Sequence, residues 1–128
     1  ARTAPNVWGT GGDTWDAWGH YHAMLGLLAW NDLTGDPKAL GATKRIGDLM
    51  CATFFGDKPP VSAEGSPEMN QAIVHSMALL YDKTKEQRYL DFAQKVVAAM
   101  AAARSQGGRH CAIPTAIQMA KGARNGVM

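Results

Sequence analysis

The stretch Leu33-Thr34-Gly35-Asp36-Pro37-Lys38-Ala39-Leu40 limits what this chain can fold into more than any other. It reads as a tight turn between two antiparallel helices. Gly35 suits the left-handed conformation that ends a helix. Asp36 suits the cap of the next helix, accepting a backbone N–H, and Pro37 suits the first helical position, where no N–H is needed. The signal recurs loosely: Asp32, Thr34, Leu40 and Met50 correspond to Asp82, Thr84, Leu90 and Met100, with Arg45 matched to Lys95 and Ile46 to Val96. The second copy has lost Gly and Pro, and Thr84-Lys85-Glu86-Gln87 reads as a capping box between Thr84 and Gln87. Such a period predicts an array of helical hairpins, either an open solenoid or a closed toroid.

The pattern between the turns fills in the hairpins. A first helix is expected from Thr14 or Trp15 to about Leu33, capped by Asp13 or Thr14. Trp15, Trp18, Tyr21, Met24, Leu25, Leu27, Leu28 and Trp30 run almost all the way round it, which predicts burial on every side. A second helix, about 37–55, carries one stripe of Leu40, Ala42, Ile46, Leu49, Met50 and Thr53. Ser66-Pro67 caps and starts a third, about 67–83, holding Met69, Ile73, Val74, Met77, Leu79, Leu80 and Tyr81. A fourth, about 86–104, sets Tyr89, Phe92, Ala93, Val96, Val97 and Met100 against a polar face, with Asp91 and Lys95 one turn apart as a stabilising pair. Gly107-Gly108 ends it, and a short helix is expected from Pro114 to about Lys121. The expected fold is all-α: one helical-hairpin domain over 1–128, with hairpins at 14–55 and 67–104, a tail at 105–128, and the form of a partial or minimal α/α toroid. Buried inner helices alternate with half-exposed outer ones. The short connections share one rim and the long ones the other, where function usually collects.

At 128 residues the chain is long enough for a core. Thirteen basic against eleven acidic residues, interspersed, give a formal charge of +2, which marks no nucleic-acid partner. No apolar run approaches the roughly 18 residues of a membrane span, and no basic-then-apolar signal sequence opens the chain. It therefore reads as soluble, with its location left open. It begins at Ala1, which fits a processed product or a piece of something longer. The glycines Gly9, Gly11 and Gly12 lack the Lys-Ser/Thr of a P-loop and read as a loop. Cys51 and Cys111 form no CxxC pair and read as two buried free thiols, with a disulfide or a metal site as the alternative.

Several of these residues resemble a known family. Trp15-Asp16-Ala17-Trp18, followed by Gly26-Leu27-Leu28-Ala29-Trp30 and Leu33-Thr34-Gly35-Asp36, looks like the catalytic region of the beta-L-arabinofuranosidase-like glycoside hydrolases. Met77-Ala78-Leu79-Leu80-Tyr81 leading into Gln87-Arg88-Tyr89-Leu90-Asp91-Phe92-Ala93 is similar too. The resemblance covers roughly 8–100 and implies a toroid of six helical hairpins, usually followed by β-rich domains. It also implies hydrolysis of glycosidic bonds in plant-type glycans, with arabinofuranoside-like substrates. Characterised members are similar in using a cysteine nucleophile beside zinc, built from a Glu-x-Cys motif and a later Cys pair. Neither motif occurs here, so no catalytic residue carries over and no metal or cofactor is called for. The chain looks like the N-terminal part of such a catalytic domain. The rival reading, favoured by the missing thiolate motif, is a non-catalytic helical-repeat module that binds a protein or carbohydrate partner.

Within this chain the residues themselves nominate a site. Asp16 and His20 share a helix face, so the carboxylate can orient the ring and raise its pKa, a usable acid–base pair or a structural one. Glu68 is a carboxyl partner for Asp16 across the rim, with Glu64 and Asn70 nearby, or a complement to the helix dipole. Trp8, Trp15 and Trp18 serve as a stacking platform for a sugar ring or as core. The catalytic candidates are therefore Asp16, His20 and Glu68, and the substrate-binding candidates Trp15, Trp18, Glu64 and Asn70. His20 and His22 diverge and are not a chelating pair. His75 reads as a core histidine and His110 as a loop residue. Two hairpins leave apolar helix surface uncovered, so the chain is expected to self-associate, as a trimer or a dimer, or to bind the remainder of a longer parent chain.

Overall fold

The computed structural model describes residues 16–58, 61 and 67–105, without the side chains of Pro67, Glu68 and Arg104. Every regular element among them is helical: α1 (Asp16–Thr34), α2 (Pro37–Phe54), the single turn α3 (Pro67–Asn70), α4 (Ile73–Thr84) and α5 (Gln87–Ser105). The expected caps at Asp13 or Thr14 and at Ser66 lie outside the described residues. So do Trp8, the early glycine cluster, Trp15, Glu64, Gly107-Gly108, His110, Cys111 and the expected helix at 114–121.

The first turn forms as its residues dictate. Gly35 sits at φ 70 and its N–H reaches Asn31 O at 2.8 Å. The Asp36 carboxylate accepts Lys38 N–H at 2.9 Å, with Pro37 behind it in the first helical position. The second turn repeats this geometry instead of building a capping box. Lys85 takes the left-handed place of Gly35, φ 57, and its N–H reaches Tyr81 O at 2.6 Å. The Thr34 hydroxyl donates to Trp30 O and accepts Asp36 N–H, and the Thr84 hydroxyl does the same with Leu80 O and Glu86 N–H. Gln87, expected to complete the box, donates to Asp91 at 2.8 Å. That engages Asp91, while Lys95 donates to Gly56 O and lies over the Phe55 ring, so the expected Asp91–Lys95 pair does not form.

The expected third helix is broken after one turn. Ala72, Val74 and His75 N–H groups bond three residues back, to Met69, Gln71 and Ala72 carbonyls, a tightening that sets α3 off from α4. Lys83 pairs with Asp32 at one end of the bundle, and Asn70 Oδ1 accepts Trp18 N–H at 3.2 Å at the other. The inner helices α1 and α4 therefore run side by side in the same direction, with both short turns at one rim.

The core gathers Met24, Met50, Phe54, Ile73, Met77, Leu80, Tyr89 and Phe92, and α5 presents the expected face. Helix α2 is rotated from its expected stripe. It buries Ala39, Thr43, Gly47, Met50 and Phe54 and turns Leu49 outward. Small residues win those positions because α4 and α5 come close: a Cβ at Gly47 would stand 2.6 Å from Leu80 Cδ2 and 2.9 Å from Tyr89 Cε1. Helix α1 also departs from expectation. It buries only Ala17, Met24 and Leu28, and leaves Trp30 55% and Leu33 84% exposed. Packed by α2 and α4, it leaves the face that carries Trp30 and Leu33 uncovered among the described residues.

Candidate functional site

The site candidates belong to the rim opposite the short turns, where α1 begins and the α3–α4 break falls. The break determines what gathers there. Asn70, at the end of α3, is 1% exposed and its amide oxygen holds the Trp18 N–H in the first turn of α1. That N–H has no partner within the helix, so the contact satisfies an otherwise orphaned donor. Asn70, a substrate-binding candidate in the sequence, fixes the start of α1 through this bond. His20 Nδ1 donates to the Asp16 backbone carbonyl at 2.7 Å, so this contact is made to the main chain and not to the carboxylate. Glu68 lies in the single turn α3. Trp15 and Glu64 lie outside the described residues.

Around Trp18 the structure assembles a group that the sequence did not single out as a unit. Tyr21 and His22 follow Trp18 at helical spacing, and His75 comes from the first turn of α4. The Trp18 ring meets His22 edge-on at 4.5 Å and Tyr21 at 5.5 Å. Tyr21 meets His22 at 4.9 Å and His75 at 5.8 Å, and its hydroxyl is 3.1 Å from His75 Nδ1. His75 is exposed, so it is not the expected core histidine. The break places it at the head of α4, facing Tyr21 across the helix pair. The recurrence of aromatic and imidazole rings at 18, 21 and 22 was the available signal, but only the packing of α4 on α1 adds His75.

Chemically, this surface offers apolar ring faces edged by a hydroxyl and two imidazoles. It can stack on the C–H face of a sugar and hydrogen-bond its hydroxyls. It offers no nucleophilic thiol. Cys51, on α2, is half-buried with its S–H directed at Arg88 O at 3.8 Å, and burial pushes its pKa up. A raised pKa leaves less thiolate to react. Among the described residues no three His, Cys, Asp or Glu side chains come together as a metal site would need. The zinc centre implied by the family resemblance therefore does not fit the described residues. None of the described helices is long and apolar enough to cross a membrane.

At the turn rim a second polar group ties the outer helices together. Tyr89 Oη donates to Asp48 at 2.8 Å and accepts from Arg88, which also pairs with Asp48 at 2.9 Å and Glu86 at 2.6 Å. Lys44 meets Glu86 at 2.5 Å. Burial, followed by the bond to Asp48, pushes the Tyr89 phenol up to about 12. Every acid here has a basic partner, so the cluster is structural.

The sequence profile of the family described as "Beta-L-arabinofuranosidase, GH127 catalytic domain" matches residues 2–122. A curated "Non-reducing end beta-L-arabinofuranosidase" from Bifidobacterium longum subsp. longum is 32% identical over 80 residues. The match covers 62% of this chain and 11% of that relative, so the chain spans about a tenth of its length. No solved structure matches significantly.

Proposed function

The chain belongs to the beta-L-arabinofuranosidase GH127 catalytic-domain family, and from that membership we propose that it forms a sugar-contacting wall of a glycoside hydrolase for plant-type glycans. The substrates in this reading carry arabinofuranoside-like sugars. The observation that supports it is the Trp18–Tyr21–His22–His75 cluster at the head of the inner helices, with half-buried Trp18 and Tyr21 rings and exposed imidazoles. Trp18 and Tyr21 supply stacking faces, with Trp15 beside them in sequence. Tyr21 and His75 supply hydrogen bonds to sugar hydroxyls. Asp16, His20 and Glu68 are the polar candidates for the reacting bond, Glu64 is the further contact at the loop end, and Asn70 acts through Trp18.

A non-catalytic reading has its own support in the sequence, which lacks the Glu-x-Cys motif and the later Cys pair of characterised members. In that reading the same wall binds carbohydrate without cleaving it. The experiment is a screen of chromogenic arabinosides and other glycosides with wild type, Asp16→Ala and Trp18→Ala, alongside calorimetric binding. Turnover lost in Asp16→Ala supports the hydrolase. Binding without turnover, weakened roughly fivefold or more in Trp18→Ala, supports the module. Absence of both turnover and binding contradicts the proposal. The uncovered side of α1 calls for a further partner, either copies of the chain or the remainder of a longer parent chain.

A further inference from the structure

Tyr21 and His75 join the two inner helices through a single shared proton. The Tyr21 hydroxyl lies 3.1 Å from His75 Nδ1, and the two rings meet at 5.8 Å. Among the described residues this is the one side-chain hydrogen bond that either group makes. A phenol is a stronger acid than the N–H of a neutral imidazole, and the imidazole lone pair is the stronger base. The hydroxyl therefore donates and Nδ1 accepts. That direction fixes the tautomer, because the remaining proton of His75 must then sit on Nε2. It also fixes what Tyr21 has left to offer: its only proton is engaged, so the oxygen presents lone pairs alone.

A tyrosine hydroxyl without such a partner turns about its C–O bond and serves a ligand as donor or acceptor alike. The break before α4 removes that freedom by placing His75 opposite Tyr21. We propose that His75 is a positioning residue that sets specificity through Tyr21: it takes the Tyr21 proton, so the wall selects a sugar with a free hydroxyl at this point. Such a hydroxyl brings the proton that Tyr21 Oη accepts. An alkylated or acylated oxygen, or a fluorine in its place, sets a lone pair against a lone pair. The stacking face for the same sugar is beside it, since the Trp18 ring stands 5.5 Å from Tyr21. A sugar lying on those rings also displaces water from the Tyr21–His75 bond and strengthens it. This inference rests on the sugar-contacting reading and narrows it to a class of sugar, unsubstituted where it meets Tyr21.

The first measurement needs no ligand. Long-range proton–nitrogen NMR of the imidazole rings, at about pH 8 so that they are neutral, reads the tautomer. His75 is expected with its proton on Nε2, and its Nδ1 signal is expected to move in Tyr21→Phe, which removes only the hydroxyl. A proton on Nδ1 would overturn the proposal whatever the chain binds. The second is calorimetric titration with methyl beta-L-arabinofuranoside and its single deoxyfluoro derivatives, one for each hydroxyl. One derivative is expected to bind wild type roughly fivefold or more weakly than the parent sugar. His75→Phe keeps a ring beside Tyr21 but frees the hydroxyl to donate, so this penalty is expected to fall below about twofold. His75→Asn keeps an acceptor and is expected to restore it. The ratio between the sugars carries the test, because a purely structural His75 would weaken all of them alike. An unchanged ratio in His75→Phe would overturn the proposal and leave the sugar-contacting reading standing. Failure of wild type to bind any of these sugars would overturn both.

Discussion

The close approach at Gly47 sets up a comparison between two glycines of one helix. Replacing a helix-interior glycine by alanine ordinarily stabilises by about 0.5–1 kcal/mol, because the unfolded chain loses freedom. Gly41 should show that gain: a Cβ there meets only Arg45 Nη1, at 3.8 Å. At Gly47 the new methyl would lie 2.6 Å from Leu80 Cδ2 and 2.9 Å from Tyr89 Cε1. Carbon atoms favour about 3.5–4.0 Å, so something must move by about an ångström. Leu80 is fully buried, and Tyr89 is held by its hydroxyl on Asp48. An off-rotamer leucine costs about 0.5–1.5 kcal/mol and overpacking of a core about 1–3 kcal/mol. Set against the propensity gain, Gly47→Ala should destabilise by about 1–2 kcal/mol. Urea unfolding followed by far-UV circular dichroism reads both variants, with equal slopes and midpoints moving in opposite directions. Equal stabilisation by the two alanines would show that α2 does not approach α4 and α5 as described.

Other perturbations follow from the turns and the polar cluster. Gly35→Val should destabilise by about 1–2 kcal/mol, since a β-branched residue resists positive φ, and Lys85→Gly, at the equivalent place, should instead raise the thermal midpoint; a midpoint unchanged in both would refute the shared geometry. Asp36→Ala should cost about 1 kcal/mol through the lost cap on Lys38 N–H, read in the same urea titration. Tyr89 titrates at about 12 in the folded chain against an ordinary 10.0, so its contribution to stability is complete below pH 10 and lost as pH rises through about 12. Tyr89→Phe should abolish that part of the alkaline unfolding, followed by absorbance of the phenolate. Cys51 should alkylate slowly in the folded chain and quickly in denaturant, because burial raises its pKa and shields the sulfur.

The turn at Gly35 was legible because stop, cap and start use residues with few other roles, and α5 because its apolar stripe is clean. The second turn was less legible: the repeat shows in sequence, but a left-handed lysine looks like any lysine, and only its N–H on Tyr81 O shows that it takes the place of Gly35. The inward face of α2 was missed because Gly47, Ala39 and Thr43 carry little hydrophobic signal and are chosen for closeness of approach. Helix α1 was read as buried on all sides from its apolar residues alone, yet burial depends on how many neighbours a helix has. At the head of α1, spacing nominates Asp16, His20 and Trp18 as candidates. It does not nominate His75, because its contact with Tyr21 spans fifty-four positions and depends on the break before α4.

The proposed sugar contact is tested most directly at the rings at the head of α1 and α4. Titration of the chain with a methyl beta-L-arabinofuranoside, followed by side-chain NMR, reads that contact in one experiment. The expected result is saturable movement of the Trp18 indole and of the His22 and His75 ring signals, with the Trp30 indole still. Movement confined to Trp30, or no movement of any ring at saturating sugar, would contradict it.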